Sequence, residues 1–186
     1  MLMNLFMLIL GVLIINITHL ISAIGNWRES LINKYSRKSF FAAYSLASSL
    51  ALLLIIFGFY QRDFITIYEP PIWGIKFNKS IMFLSFWWLT SQFFNGYIKQ
   101  VTKAPALAAI AIWSFGHLCA NGDLHSLIMF GGFLLYALTG LYFKWQKPTP
   151  KTTYHYKHDI YALVTGFIAY IVIGLAHLYF TGIIVF

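Results

Sequence analysis

Apolar residues run along this chain in six long blocks, at about Leu2–Ala23, Phe40–Tyr60, Ser80–Tyr97, Ala104–Ala120, Leu124–Phe143 and Ile160–Ile184. The short segments between them carry nearly all of the charge. Crossing the hydrocarbon core of a bilayer takes about 20 apolar residues in a helix. The blocks therefore predict an all-α, polytopic membrane protein, a bundle of six transmembrane helices. The third and fourth blocks are short and need flanking residues to span. No internal repeat or low-complexity tract divides the chain, which reads as a single domain over residues 1–186.

The join between the fourth and fifth blocks is the most unusual stretch. Trp113, Ser114 and His117 fall about one turn apart on one helical face. Asn121-Gly122-Asp123 then reads as a minimal reversal between two helices. Gly122 suits the left-handed residue that closes a helix. Asp123 suits the cap of the next one, accepting from its first amides.

Composition agrees with this pattern. Of the 186 residues, 60% are hydrophobic and 10% charged, against about 25% charged in soluble domains. The formal charge of +8 invites a nucleic-acid reading. The basic residues, however, lie in short loops and not in a patch backed by a soluble core, which excludes it. One cysteine, Cys119, excludes an internal disulfide and any multi-cysteine metal site. The first block lacks a basic leader and a small-residue cleavage pattern, so it reads as a helix and not as a cleaved signal.

The loops predict an orientation. Loops one, three and five hold Arg28, Lys34, Arg37, Lys38, Lys99, Lys103, Lys144, Lys147, Lys151 and Lys157, whereas loops two and four hold Arg62, Lys76 and Lys79. That bias places the odd loops in the cytoplasm and both termini on the non-cytoplasmic side of a bacterial inner membrane. Loop two, QRDFITIYEPPIWGIKFN, reads as an interfacial segment or lid, with Pro70 and Pro71 breaking helix and Tyr68, Trp73 and Phe77 suited to the boundary. Loop five reads as a Pro/Lys/Thr linker with His155 and His158 solvated at the membrane surface.

An ionisable residue inside a span is costly and marks a candidate site. Three histidines qualify: His19, one turn after Asn16 and on the side of Gly11, Ile15 and Ser22; His117; and His177, beyond Gly166, Tyr170 and Gly174. Three imidazoles with hardly a carboxylate among them suit a metal or haem better than acid–base chemistry. Zinc suits them less, because no clustered Cys, Asp or Glu completes a site. Asp123 could also orient a ligating imidazole, and Arg28 could pair with a haem propionate or a lipid headgroup. The small residues Gly131, Gly132, Ala137 and Gly140, like the alanines of the fourth block, suit close helix packing, and Cys119 reads as a buried filler.

Taken together, Thr18-His19-Leu20, Arg28, Pro70-Pro71-Ile72-Trp73, HLCANGDLHSLIMFGGFLLYAL from His117 onward, and His177 resemble the NnrU family of bacterial membrane proteins. The similarity covers nearly the whole chain, and its most specific part is the segment around Asn121, Gly122 and Asp123. That family is related to the 15-cis-zeta-carotene isomerase, a membrane enzyme that binds haem b. The resemblance implies a haem b iron held by His19 and His117, with His177, Arg28, Asn121 and Asp123 beside the cofactor. The chain departs from the isomerase at Ser114, where a cysteine stands one turn before the second histidine. It departs from the family at Lys103-Ala104-Pro105, in place of Arg-His-Pro.

Helix depth favours a different pairing. With about 1.5 Å of rise per residue and a core of about 30 Å, His19 and His117 differ in depth by nearly 20 Å. Two imidazoles on one iron need α-carbons within roughly 13 Å. His117 and His177 share a depth and form the alternative pair. The functions implied are haem-dependent chemistry on a lipid-soluble or small, gaseous substrate, as a polyene isomerase or a protein of nitrogen-oxide metabolism served by a redox partner. The alternatives are a non-enzymatic haem sensor or accessory protein and, third, a membrane methyltransferase.

Overall fold

The computed structural model describes residues 2–21, 24–60, 64–149, 152–182 and 185. The expected block ends at Ala23 and Ile184, together with Ser22, Arg62 and Lys151, lie outside the described residues. The chain is helical throughout: α1 (Leu2–Ile21), α2 (Trp27–Tyr35), α3 (Arg37–Phe59), α4 (Gly74–Ser91), α5 (Tyr97–Thr102), α6 (Pro105–Ala120), α7 (Leu124–Trp145) and α8 (Tyr156–Thr181). The six apolar blocks correspond to α1, α3, α4, α6, α7 and α8. The two additional helices, α2 and α5, are short and lie in loops one and three.

Four helices, α1, α3, α7 and α8, are long and apolar enough to cross a membrane, and α6 is a shorter apolar helix. Their faces explain why water is the wrong solvent. In the most apolar windows of α3 and α8 only 11% of residues are buried within the protein. Leu46, Leu50, Leu53 and Phe57 on α3, and Val164, Phe167, Ile168 and Val172 on α8, are all exposed. Apolar surface on that scale is stable only against lipid.

Contacts divide the chain into two compact units. The first comprises Met1–Glu69 and Asn121–Tyr136, the second Pro70–Ala120 and Ala137–Phe186. In the first, α1 lies along α3 with backbones nearly touching. A methyl added at Gly11 would stand 2.8 Å from the Ala51 carbonyl oxygen, and one at Gly58 would run into the backbone of Leu8. Small residues permit such approaches, and lipid-embedded helices gain their packing from them. Asn16 adds a polar tie, its amide donating to the Gly132 carbonyl of α7 at 3.1 Å.

In the second unit, α4 packs against both α6 and α8. Hydroxyls tie it on each side: Ser85 donates to the Ala109 carbonyl at 2.9 Å and Thr90 to the Ala162 carbonyl at 2.7 Å. α4 begins six residues earlier than its apolar block. Immediately after Pro70 and Pro71, the Gly74 amide finds the Pro71 carbonyl at 2.7 Å, so the helix takes in Lys76, Asn78 and Lys79, which hydropathy alone leaves out. α5 is held at both ends. The Asp159 carboxylate accepts from the amides of Tyr97 and Ile98, and Lys103, left-handed at φ 57°, donates its ammonium to the carbonyls of Trp145 and Lys147.

Candidate functional site

The Asn121-Gly122-Asp123 reversal is built differently from the glycine-closed turn expected of it. The described residues with positive φ are Ser36, Lys103, Gly25 and Gly182, and Gly122 is not among them. Gly122, Asp123 and the Leu124 amide that opens α7 pair with loop two. Thr66 forms an antiparallel bridge with Asp123. The Gly122 carbonyl accepts from the Ile67 and Tyr68 amides at 2.8 and 3.2 Å, and the Leu124 amide donates to the Ile65 carbonyl at 2.9 Å. The Tyr68 hydroxyl donates to the Asn121 carbonyl at 2.8 Å. Loop two is therefore a fixed strand-like partner of the motif over residues 65–68. The role of Asp123 as a helix cap holds: its buried carboxylate accepts from the Ser126 amide at 3.1 Å, in the first turn of α7. These bonds give non-helical backbone groups of the reversal partners within the protein.

His19, in the last turn of α1, donates from Nδ1 to the Ile15 carbonyl at 2.9 Å. That bond fixes the tautomer, leaving the lone pair on Nε2. The ring stands between two tyrosines of the same unit, Tyr44 at 5.1 Å and Tyr136 at 5.9 Å between centroids. His117, half-buried in the last turn of α6, repeats the arrangement: Nδ1 donates to the Trp113 carbonyl at 2.8 Å and the ring leans on the Trp113 indole at 5.1 Å. Ser114, on the same face, is completely buried.

His177 shows a third version. The Thr181 hydroxyl donates to the His177 carbonyl at 2.8 Å and lies 2.9 Å from the His177 Nδ1. A hydroxyl has one proton, so which atom donates in the second bond depends on the His177 tautomer. His117 and His177 belong to the same unit and lie within electrostatic range of each other. His19, Asn121 and Asp123 belong to the other unit, as does Arg28. The exposed Arg28 guanidinium sits over the Phe41 ring at 5.6 Å. His155 is exposed and His158 half-buried, their rings 5.6 Å apart at the start of α8. Cys119 is half-buried, and its carbonyl abuts Gly74 so closely that no Cβ fits there.

One histidine that sequence reasoning passes over stands out. His125 is 0% exposed, in the first turn of α7, between Asp123 and Ser126, which are equally buried. The signal was in the sequence: an ionisable side chain two residues into an uncharged span meets the same test as His19, His117 and His177.

The model of the family described as NnrU protein matches residues 7–185, nearly the whole chain. The chain belongs to the NnrU family. No curated protein and no solved structure matches it. In this NnrU protein the matched region takes in the end of α6, the bridge to loop two and the capped start of α7.

The donors can be tested against the haem that the resemblance implies. Among the described residues, no group of three or more His, Cys, Asp and Glu is gathered as a metal site. A porphyrin brings four nitrogens of its own and asks the protein for one or two axial ligands. The His19 and His117 imidazoles, each donating Nδ1–H to a backbone carbonyl, fit that requirement. They do not fit a zinc centre, which needs three or four protein donors.

Proposed function

We propose that this NnrU protein is a six-span protein of the bacterial inner membrane, with both termini on the non-cytoplasmic side, that binds one haem b with His117 as an axial ligand. The second ligand is His19, on the resemblance. The observation that carries the reading is the shared chemistry of the imidazoles: His19 and His117 each donate Nδ1–H to the carbonyl four residues earlier, at 2.9 and 2.8 Å. Such a bond orients the ring and raises the basicity of the other nitrogen, the second-partner arrangement typical of metal-ligating histidine. Haem bound there supplies redox chemistry and, where an axial position opens, a place for a small gas or an unsaturated, lipid-soluble substrate. The residues of this chain hold the rings in place. Arg28 stands ready to meet an anionic group at the edge of the first unit.

A second ligand pair has its own support. His177 lies within electrostatic range of His117 in the same unit. The pair His117 and His177 therefore replaces His19 and His117 if a single unit holds the iron.

The test is haem and metal analysis of the purified chain, followed by incubation with a cis-polyene and with nitric oxide under reducing conditions. Stoichiometric haem with polyene turnover establishes an isomerase-type enzyme. Haem with gas binding and no turnover establishes a sensor or accessory protein. Protein that folds in the membrane, carries no haem and takes none when it is supplied overturns the proposal, and S-adenosylmethionine binding in that case would establish the methyltransferase reading.

A further inference from the structure

The first unit contains an open cavity of about 450 Å³ between α1, α2 and α3, lined among others by Ile21, Leu31, Phe40, Ala43, Tyr44 and Ala47. Its size falls in the range of small-molecule sites, roughly 300–1,000 Å³. Its position is informative. It lies where α1 ends and α3 begins, beside the short charged helix α2, whose Trp27 and Tyr35 are 64% and 56% exposed. Amphipathic aromatics of that kind settle at the boundary between lipid and water. The cavity is therefore apolar and placed at headgroup level.

The charge beside it is one-sided. From Ile24 to Tyr60 the chain carries Arg28, Lys34, Arg37 and Lys38 against a single acid, Glu29. Two of these cations share one ring: the guanidinium groups of Arg28 and Arg37 stand 5.6 and 5.7 Å from the centroid of Phe41. Cation–π attraction holds both beside Phe41, and the excess of positive charge there favours an anion. Phe41 in turn meets Phe40 edge to face at 5.5 Å, and Phe40 lines the cavity. One short aromatic path thus links a doubly cationic surface to an apolar hollow.

We propose that this cavity is a binding site for an anionic phospholipid of the surrounding bilayer, with an acyl chain in the hollow and the phosphate against Arg28 and Arg37. Juxtamembrane basic clusters select anionic lipids from the leaflet they face, and here the cluster is joined to a place for the chain. The cavity borders the His19 ring through Tyr44, 5.1 Å from it, so the test reads lipid and haem separately.

The full-length protein, reconstituted in nanodiscs of equimolar phosphatidylglycerol and phosphatidylcholine and then stripped with mild detergent, tests it by native mass spectrometry. The wild type is expected to retain phosphatidylglycerol over phosphatidylcholine, by roughly 30-fold for two cationic contacts. Arg28→Gln with Arg37→Gln, both on the exposed surface, should abolish that preference while the protein still folds. Ala43→Trp, which fills the hollow, should lose the retained lipid altogether. Equal retention of the two lipids by the wild type overturns the site, as does a preference that survives the double substitution or lipid that survives Ala43→Trp. If Ala43→Trp instead displaces haem while lipid remains, the cavity belongs to the cofactor and the proposal is wrong. If Ala43→Trp fails to fold, the arginine variant decides.

Discussion

Thr66 and Asp123, 57 residues apart in sequence, face each other across an isolated antiparallel bridge. This contact fastens loop two to the Asn121-Gly122-Asp123 segment. Asp123 serves twice, pairing through its backbone and capping α7 through its carboxylate. Asp123→Ala should cost about 1 kcal/mol, within the usual range for a lost helix cap, whereas Asp123→Ser should retain most of that stability. Tyr68→Phe, which removes the hydroxyl bond to the Asn121 carbonyl, should cost about 1 kcal/mol. Thermal unfolding in detergent reads all three. A serine variant as unstable as the alanine one would show that the charge of Asp123, and not its capping bond, is what matters.

Glycine substitutions separate close helix packing from mere smallness. A methyl at Gly58 runs into the Leu8 backbone, whereas one at Gly131 meets nothing within 4 Å. Gly58→Ala should therefore destabilise by about 1–3 kcal/mol, as overpacked sites do. Gly131→Ala should be neutral or slightly stabilising, because alanine favours helix. Comparable melting temperatures for the two variants would contradict the tight α1–α3 contact.

Orientation is accessible to reporter fusions. On the proposed orientation, the basic loops one, three and five face the cytoplasm and both termini lie outside it. A periplasm-dependent reporter should be active at either end, and a cytoplasm-dependent one silent. Cytoplasmic activity at both ends would reverse the orientation, and activity at one end alone would require an odd number of spans.

Much of this fold is legible because lipid imposes a coarse rule. Apolar runs such as Leu2–Ile21 and Leu124–Trp145 announce themselves within a few residues. Helix α4 is less legible, because its first turn and a half carries Lys76, Asn78 and Lys79 and is fixed by Pro71 and not by hydropathy. Helices α2 and α5 are too short and charged to register. The pairing of residues 65–68 with 122–124 is invisible in the sequence, because it rests on backbone bonds between distant segments. Composition does not encode these. The cap at Asp123 could be read because it is local. The role expected of Gly122 failed because the segment's partner is distant: hydrogen bonds to Ile67 and Tyr68 draw it into an extended conformation.

The ligand pair can be resolved by spectra of single variants. Removing one axial ligand from a six-coordinate haem leaves an open iron that binds carbon monoxide. With His19 as the second ligand, His19→Ala should show this state and His177→Ala should keep the wild-type spectrum. With His177 as the second ligand the outcomes reverse. His125→Ala belongs in the same series, because that ring is buried beside Asp123. A carbon monoxide-binding species from His125→Ala alone would exclude both pairs.

The central claim, that His117 ligates haem, is tested most directly by the visible absorption spectrum of purified wild-type and His117→Ala protein, each oxidised and then reduced. The wild type should show a low-spin b-type haem spectrum that sharpens on reduction, and His117→Ala should lose the haem or shift it to a high-spin form while remaining folded in the membrane. An unchanged haem spectrum in His117→Ala, with a fall in thermal stability of about 1 kcal/mol as the only effect, would contradict the claim and leave His117 a helix-packing residue.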